Sequence, residues 1–362
     1  MRTKITAGLT TGLLAAALTA SPAQADGNVT ATTLHFGKVA SQQTMSYWYA
    51  NDQYHLREAT PYGEGATVAI TPNPLGAYPD GPPGIVEPVT LPGAPPGNTG
   101  SKSVSLALGH GKAYFVDAGG NPRWCSAFSV SSLYRNMVAT AGSCVFGANA
   151  AHSNWVFVPA QIALSPDPSL LAPYGVFVGY QAFTHASFAE NRSRERDFAF
   201  VAVWNGAERI ATGARDTGRL ADRVGGQGLT YNQPVDEPRF MFGYPAGADP
   251  DGNYAYTGRT LKWSYGRGIA ERSVTGISQR LLGLKSSFTG QGSFGSGLLH
   301  EYERYSRQGY LNGVNAGVSD TDGNGRIDTS VSSYFDRQTF EVYDAAWHVV
   351  TGSILGGIPI PQ

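Results

Sequence analysis

The sequence predicts an all-β protein closed by one C-terminal helix, and three observations carry that expectation. Glycine is abundant at 46 of 362 residues, tyrosine is frequent at 19, and only 15% of the residues are charged. Apolar residues recur in short alternating runs bounded by turn formers, which is the pattern of half-buried strands joined by tight turns. No self-similarity recurs at a period of about 20 to 50 residues, which disfavours solenoids and propellers.

The first residues read as a secretory signal. Arg2 and Lys4 give a positive start, an apolar stretch follows over residues 7–20, and Ala23-Gln24-Ala25 offers a small-residue cleavage site before Asp26. A membrane anchor needs about 18 unbroken apolar residues, and Thr10, Thr11, Thr19 and Ser21 interrupt this stretch too early. The expectation is a secreted, extracellular protein that leaves the membrane after cleavage.

Residues 26–71 are polar and aromatic without a clear period, and residues 72–100 are rich in proline and glycine, a linker composition. Within them Asp80-Gly81-Pro82-Pro83-Gly84 suits neither a helix interior nor a central strand, because proline lacks the amide donor. The expected organisation is a signal over 1–25, an extension and linker over 26–104 that would serve as propeptide, spacer or mask, and a folded domain over 105–355.

Strand-like runs then follow at short intervals. Those at 112–116, 124–130, 136–140, 155–160, 175–180 and 197–203 would build one barrel, and those at 239–243, 260–264, 281–287, 297–301 and 309–315 another. Phe340, Tyr343, Trp347 and Val350 then fall at spacings of three and four, which places them on one face of a closing helix.

Charge excludes one class of partner. Cleavage of the signal removes two of the 26 Lys and Arg and none of the 27 Asp and Glu, taking the formal charge from -1 to -3. Arg192, Arg194 and Arg196 form the one dense basic group, and Glu190, Glu195 and Asp197 interrupt it, so no basic face for nucleic acid exists. The two cysteines, Cys125 and Cys144, belong to an oxidising compartment and are expected to pair, stabilising the fold by about 3 kcal/mol in the chain-entropy model.

The segment Trp124-Cys125-Ser126-Ala127, then residues 136–140, then Ala141-Gly142-Ser143-Cys144-Val145 resembles the trypsin-like serine peptidases, especially secreted bacterial members. In that family a cysteine-bearing strand leads to Thr-Ala-Gly-His-Cys. Here Thr140-Ala141-Gly142 and Cys144 match, and Ser143 stands where the family has histidine. Further matches follow in the family's order: Trp155-Val156-Phe157-Val158-Pro159, Asp197-Phe198-Ala199-Phe200-Val201, Phe242-Gly243-Tyr244-Pro245, Gly309-Tyr310-Leu311-Asn312-Gly313-Val314-Asn315 and Ser333-Tyr334-Phe335. The resemblance implies two six-stranded antiparallel β-barrels with the active site between them. It also places Asp197 at the position of the catalytic aspartate, whose role is to orient the imidazole. The other reading of Asp197 is a turn cap before a strand.

The stretch Thr289-Gly290-Gln291-Gly292-Ser293-Phe294-Gly295-Ser296-Gly297-Leu298-Leu299 resembles the family's Thr-Gly-Gly-Ser-Ser-Gly-Gly-Pro nucleophile region. Counting from Thr289 makes Ser293 the nucleophile, counting back from Leu299 puts Phe294 there, and a third register uses Ser296. None reproduces Ser-Gly-Gly-Pro. Ser293 is preferred, although bulk at Gln291 and Phe294 crowds the backbone amides that hold an oxyanion. The alternative is a plain serine in a turn.

A serine hydroxyl is protonated at neutral pH, so attack on a carbonyl needs a base in hydrogen-bond contact. Ser143 cannot be that base. In subtilisin, losing the histidine alone costs about 10⁶-fold in turnover, roughly 8 kcal/mol of barrier. His152 is the nearest substitute in sequence, while His110, His185, His300 and His348 have no motif around them. Ser143 reads either as a relic of lost catalysis or as a gap that a substrate's own imidazole would fill.

Asp320-Thr321-Asp322-Gly323-Asn324-Gly325-Arg326-Ile327-Asp328 sets Asp320, Asp322, Asn324 and Asp328 at positions one, three, five and nine of an EF-hand-like loop, with Arg326 at position seven offering a carbonyl. Val331 stands at position twelve, where a bidentate carboxylate is expected. The alternatives are a structural calcium site of weak affinity and a polar hairpin. No other cofactor is implied. Three readings result: a catalytically impaired peptidase homologue that binds a peptide or protein between its barrels, an active serine endopeptidase with a non-standard base, and a calcium-stabilised structural protein. A monomer is expected.

Overall fold

A computed structural model describes residues 27–63, 67–76, 78–91, 107–161, 171–210, 213–248, 255–286, 288 and 290–355. The expected signal peptide lies outside the described residues.

The N-terminal segment is woven into the rest of the chain. It comprises β1 (Val29–Thr33), α1 (Gly37–Glu58), β2 (Thr60–Pro61), β3 (Ile70–Pro72) and β4 (Gly84–Val86). The helix, which no sequence period announces, is broken by non-helical backbone at Ala50, Asn51, Asp52 and Gln53. Its contribution to the core is local: Met45 and Trp48, one turn apart, are buried, and the Trp48 indole donates to the Asn154 carbonyl at 2.6 Å.

The first barrel is made of β5 (His110–Val116), β6 (Pro122–Val130), β7 (Met137–Thr140), β8 (Ser153–Pro159), β9 (Phe177–His185) and, after α2 (Ala186–Asn191), β10 (Ala199–Val203). The order β9-β10-β7-β6-β5-β8 is closed by antiparallel pairing of β8 with β9. A hairpin of β11 (Gly206–Ile210) and β12 (Gly213–Gly218), then α3 (Leu220–Val224), lead to the second half.

That half contains β13 (Gly228–Tyr231), β14 (Pro238–Gly243), β15 (Ala246–Ala248), β16 (Ala255–Thr257), β17 (Lys262–Ser273), β18 (Leu281–Lys285), β19 (Gly297–Glu303), β20 (Gln308–Ser319) and β21 (Thr329–Ser333). The order β19-β14-β17-β18-β21-β20 closes through β19 and β20, giving a second six-stranded ring. Its sixth strand, β21, has the sequence Thr-Ser-Val-Ser-Ser and no apolar alternation, which is why the sequence pattern passes over it. It is buried because hydroxyls replace apolar contacts there; the Ser332 hydroxyl accepts the Val314 amide at 2.8 Å and donates to the Ser333 carbonyl at 2.9 Å.

The closing helix α4 (Arg337–Trp347) starts at a capping box, with the Asp336 carboxylate accepting the Thr339 amide. Of the expected face, Tyr343 is buried and Phe340 and Trp347 are half-buried, whereas Val350 lies past the helix end and is 61% exposed; Val342, outside that face, is also buried. Two six-stranded antiparallel barrels with a C-terminal helix are therefore the architecture of this chain.

Candidate active site

The motif around Ser143 is held by covalent and steric constraints. β7 ends at Thr140, and Gly142–Cys144 form one turn of 3-10 helix. The Cys125–Cys144 disulfide ties that turn to β6. Gly142 belongs there because a Cβ would lie 2.6 Å from the Phe188 ring. Ser143 is thereby fixed, and its main-chain amide donates to Asp197 Oδ1 at 2.7 Å. The Ser143 hydroxyl is buried beside the same carboxyl, outside hydrogen-bond geometry.

Asp197 closes a short 3-10 turn, Arg194–Arg196, and is 4% exposed. Burial pushes its carboxyl up to about 6, against the Ser143 amide, Arg194 and Arg192, which pull it down. The two positions that the motifs single out, 143 and 197, are thus in contact. The contact is an amide on a carboxyl, with no imidazole between.

All seven histidines lie among the described residues, and none of them hydrogen-bonds Asp197, Ser293 or Ser296. His152 has Nε2 3.2 Å from the Ser143 carbonyl oxygen and its ring stacked on Phe115. Burial lowers its pKa, so it is a neutral structural ring. His110 is buried with neither ring nitrogen bonded. His185 caps α2 by accepting the Ser187 amide. His300 sits in β19, and His348 faces Asp344 at 3.9 Å.

The glycine-rich turn at 290–296 docks on β6. Gly292 and Gly295 both adopt positive φ, +74° and +79°, and a Cβ on Gly295 would sit 1.9 Å from the Ser126 carbonyl oxygen. The Phe294 carbonyl accepts the Ser126 amide at 2.8 Å. Ser293 and Ser296 are both 0% exposed. The Ser293 hydroxyl donates to the Gly290 carbonyl at 2.6 Å and accepts from Asn315 Nδ2 at 3.1 Å. The Ser296 hydroxyl has no hydrogen-bond partner and packs on Gly243, where a Cβ would lie 1.7 Å away. In all three registers, therefore, the side chain at the nucleophile position points into protein.

Sequence reasoning missed one participant. The Tyr62 amide donates to the Trp124 carbonyl at 2.8 Å, and the Tyr62 carbonyl accepts the Gly292 amide at 3.0 Å. With β2 running parallel to β6 at Arg123 and Trp124, this segment lies as extended chain between the first barrel and the turn. Thr-Pro-Tyr-Gly at 60–63 carries no local signal for that role, since main-chain atoms make the contacts.

The loop 320–328 connects β20 to β21 as a hairpin without flanking helices. Asp320 accepts the Gly323 and Gly325 amides at 2.8 and 2.7 Å, Asp322 accepts the Asn324 amide at 3.2 Å, and the Asn324 side chain accepts the Arg326 amide at 2.9 Å. Asp328 is ion-paired with Lys285 at 2.6 Å. Among the described residues no three His, Cys, Asp or Glu side chains converge as a metal site requires.

No protein-family model and no curated protein sequence matches the chain. Among solved structures it is similar to the thermostable serine protease AL20 from an extremophilic microorganism, with 23% identity and a TM-score of 0.54 over 68% of this chain and 100% of that one. It is similar also to the protease Anisep from Arthrobacter nicotinovorans, with 26% identity and a TM-score of 0.53 over 68% of this chain and 99% of that one. The chain has the fold of the trypsin-like, chymotrypsin-fold serine proteases.

Proposed function

We propose that this protein is an exported, catalytically impaired homologue of the trypsin-like peptidases that uses the region between its barrels to bind polypeptide. The observation that carries the reading is that Asp197 Oδ1 accepts the Ser143 main-chain amide while no histidine ring among the described residues hydrogen-bonds the carboxyl, as proton transfer would require. Two further features support it. The hydroxyls of Ser293 and Ser296 are turned inward, and the chain's own residues 60–63 already lie as extended backbone on Trp124 and Gly292. That second feature is main-chain recognition of a polypeptide by the edge of a sheet.

The test is a fluorophosphonate probe added to the purified mature protein. No serine is expected to label, whereas rapid stoichiometric labelling of one serine would establish an active endopeptidase with a non-standard base. Export is checked separately by N-terminal sequencing of protein recovered from the medium, which should start at Asp26.

A further inference from the structure

A cavity of about 630 Å³ opens where the segment 56–61 meets β5, β6 and the loop after β16. Lys112, on β5, lines it and is 3% exposed. Its Nζ lies 3.8 Å from the Trp124 ring centroid and 5.2 Å from that of Tyr244, and no carboxylate pairs with it among the described residues. A buried ammonium held only by aromatic faces is an incomplete arrangement, because cation–π attraction recovers little of the lost hydration.

The described residues around Lys112 do not supply an anion to pair with it. Arg259 and Arg57 line the same cavity, and Glu58 is its one acidic residue among the described residues. The phenols of Tyr114 and Tyr244 are pushed above their ordinary range by burial and stay neutral, and Gln161 is neutral. Burial, reinforced by Arg259, lowers the Lys112 amine to about 7. Among the described residues, two guanidiniums and the buried Lys112 amine thus share the cavity with a single carboxylate.

We propose that this cavity is a binding site for an organic carboxylate, with Lys112 and Arg259 holding the anion and the Trp124 face receiving the apolar group attached to it. A guanidinium fork beside an ammonium suits a planar carboxylate. Leu56 and Leu171 add apolar wall, which suits a ligand with an apolar body better than a strongly hydrated phosphate. Free organic acids and polypeptide C-termini share this chemistry. The cavity shares Thr60, Pro61 and Trp124 with the segment described above, but its anion-holding groups, Lys112 and Arg259, do not depend on Asp197 or on the serines of the 290–296 turn.

The test is calorimetric titration of the mature chain at about pH 8, in two buffers of different ionisation enthalpy, with N-acetyl-leucine, N-acetyl-leucinamide and inorganic phosphate. The acid is expected to bind at least about tenfold tighter than the amide or phosphate, with uptake of a fraction of a proton as Lys112 becomes charged. K112M should remove that uptake and weaken the acid about tenfold or more, and R259Q, on the exposed rim, should weaken it several-fold with Lys112 intact. Tighter binding of Ala-Ala-Ala-Leu than of N-acetyl-leucine assigns polypeptide C-termini; equal binding assigns free acids. Acid and amide binding alike, phosphate binding as well as the acid, binding of the acid without proton uptake, unchanged binding in both variants, or no binding of the acid would each overturn the proposal.

Discussion

The amide of Ser143 and the carboxyl of Asp197 are hydrogen-bonded at 2.7 Å, so Oδ1 of the acidic member of the expected triad is engaged by backbone. Its folded-state pKa of about 6 is above the ordinary carboxyl value. Between about pH 4 and pH 6 the folded protein therefore keeps a proton that the unfolded chain has released, and stability falls as pH rises, by about 2 to 3 kcal/mol in all. Asp197→Asn keeps an acceptor for the Ser143 amide and removes the charge. The variant is expected to be more stable than the wild type at pH 7 by about 1 to 2 kcal/mol and equal to it near pH 4, measured by urea unfolding at both values.

Restoring the missing histidine alone should not restore chemistry. In Ser143→His the new ring still faces no accessible hydroxyl, because Ser293 is bonded to Gly290 and Asn315 and Ser296 is packed on Gly243. Fluorophosphonate labelling of this variant is expected to stay at background. Labelling at Ser293 would show that the turn reorients readily.

The Arg196 guanidinium holds both oxygens of Asp336, at 2.7 and 2.9 Å, and Arg280 adds a contact at 3.1 Å. Burial raises the Asp336 pKa, but Arg196 and the helix cap outweigh it and hold the carboxyl below its usual range. Its contribution to stability is present above the unfolded-state value of about 4 and is lost as pH falls through the lower folded value. Arg196→Met leaves a buried carboxylate short of its main partner and should cost about 3 kcal/mol at pH 7. The difference from wild type should shrink below about pH 4, as denaturant midpoints across that range would reveal.

Gly295→Ala places a Cβ 1.9 Å from the Ser126 carbonyl oxygen and 2.3 Å from Thr140 Oγ1, on backbone at φ +79°. The cost is expected at about 3 kcal/mol or more, read as a fall in thermal midpoint. An unchanged midpoint would mean that the turn is not seated on β6 as described.

Much of the fold was legible in the sequence because most strands alternate or form short apolar runs between turns, as at 124–130 and 155–160. Strand β21 was not, since Ser330, Ser332 and Ser333 are buried through hydrogen bonds that composition does not reveal. The helix α1 was hidden by its break at residues 50–53 and by its scattered apolar residues. At the site, motif order was enough to bring residues 143 and 197 together. The direction of the Ser293 and Ser296 hydroxyls was illegible, because Asn315 and Gly243, from distant strands, decide it.

The path of residues 27–91 has a mechanical consequence. The chain pairs β1 and β2 with the first barrel, β3 and β4 with the second, returns to the first at β5, and crosses again before β13. The halves are therefore stitched by several strand ladders and not hinged on one connector. Opening one half away from the other would have to strip an edge strand, so accommodation of a guest falls to surface turns and side chains.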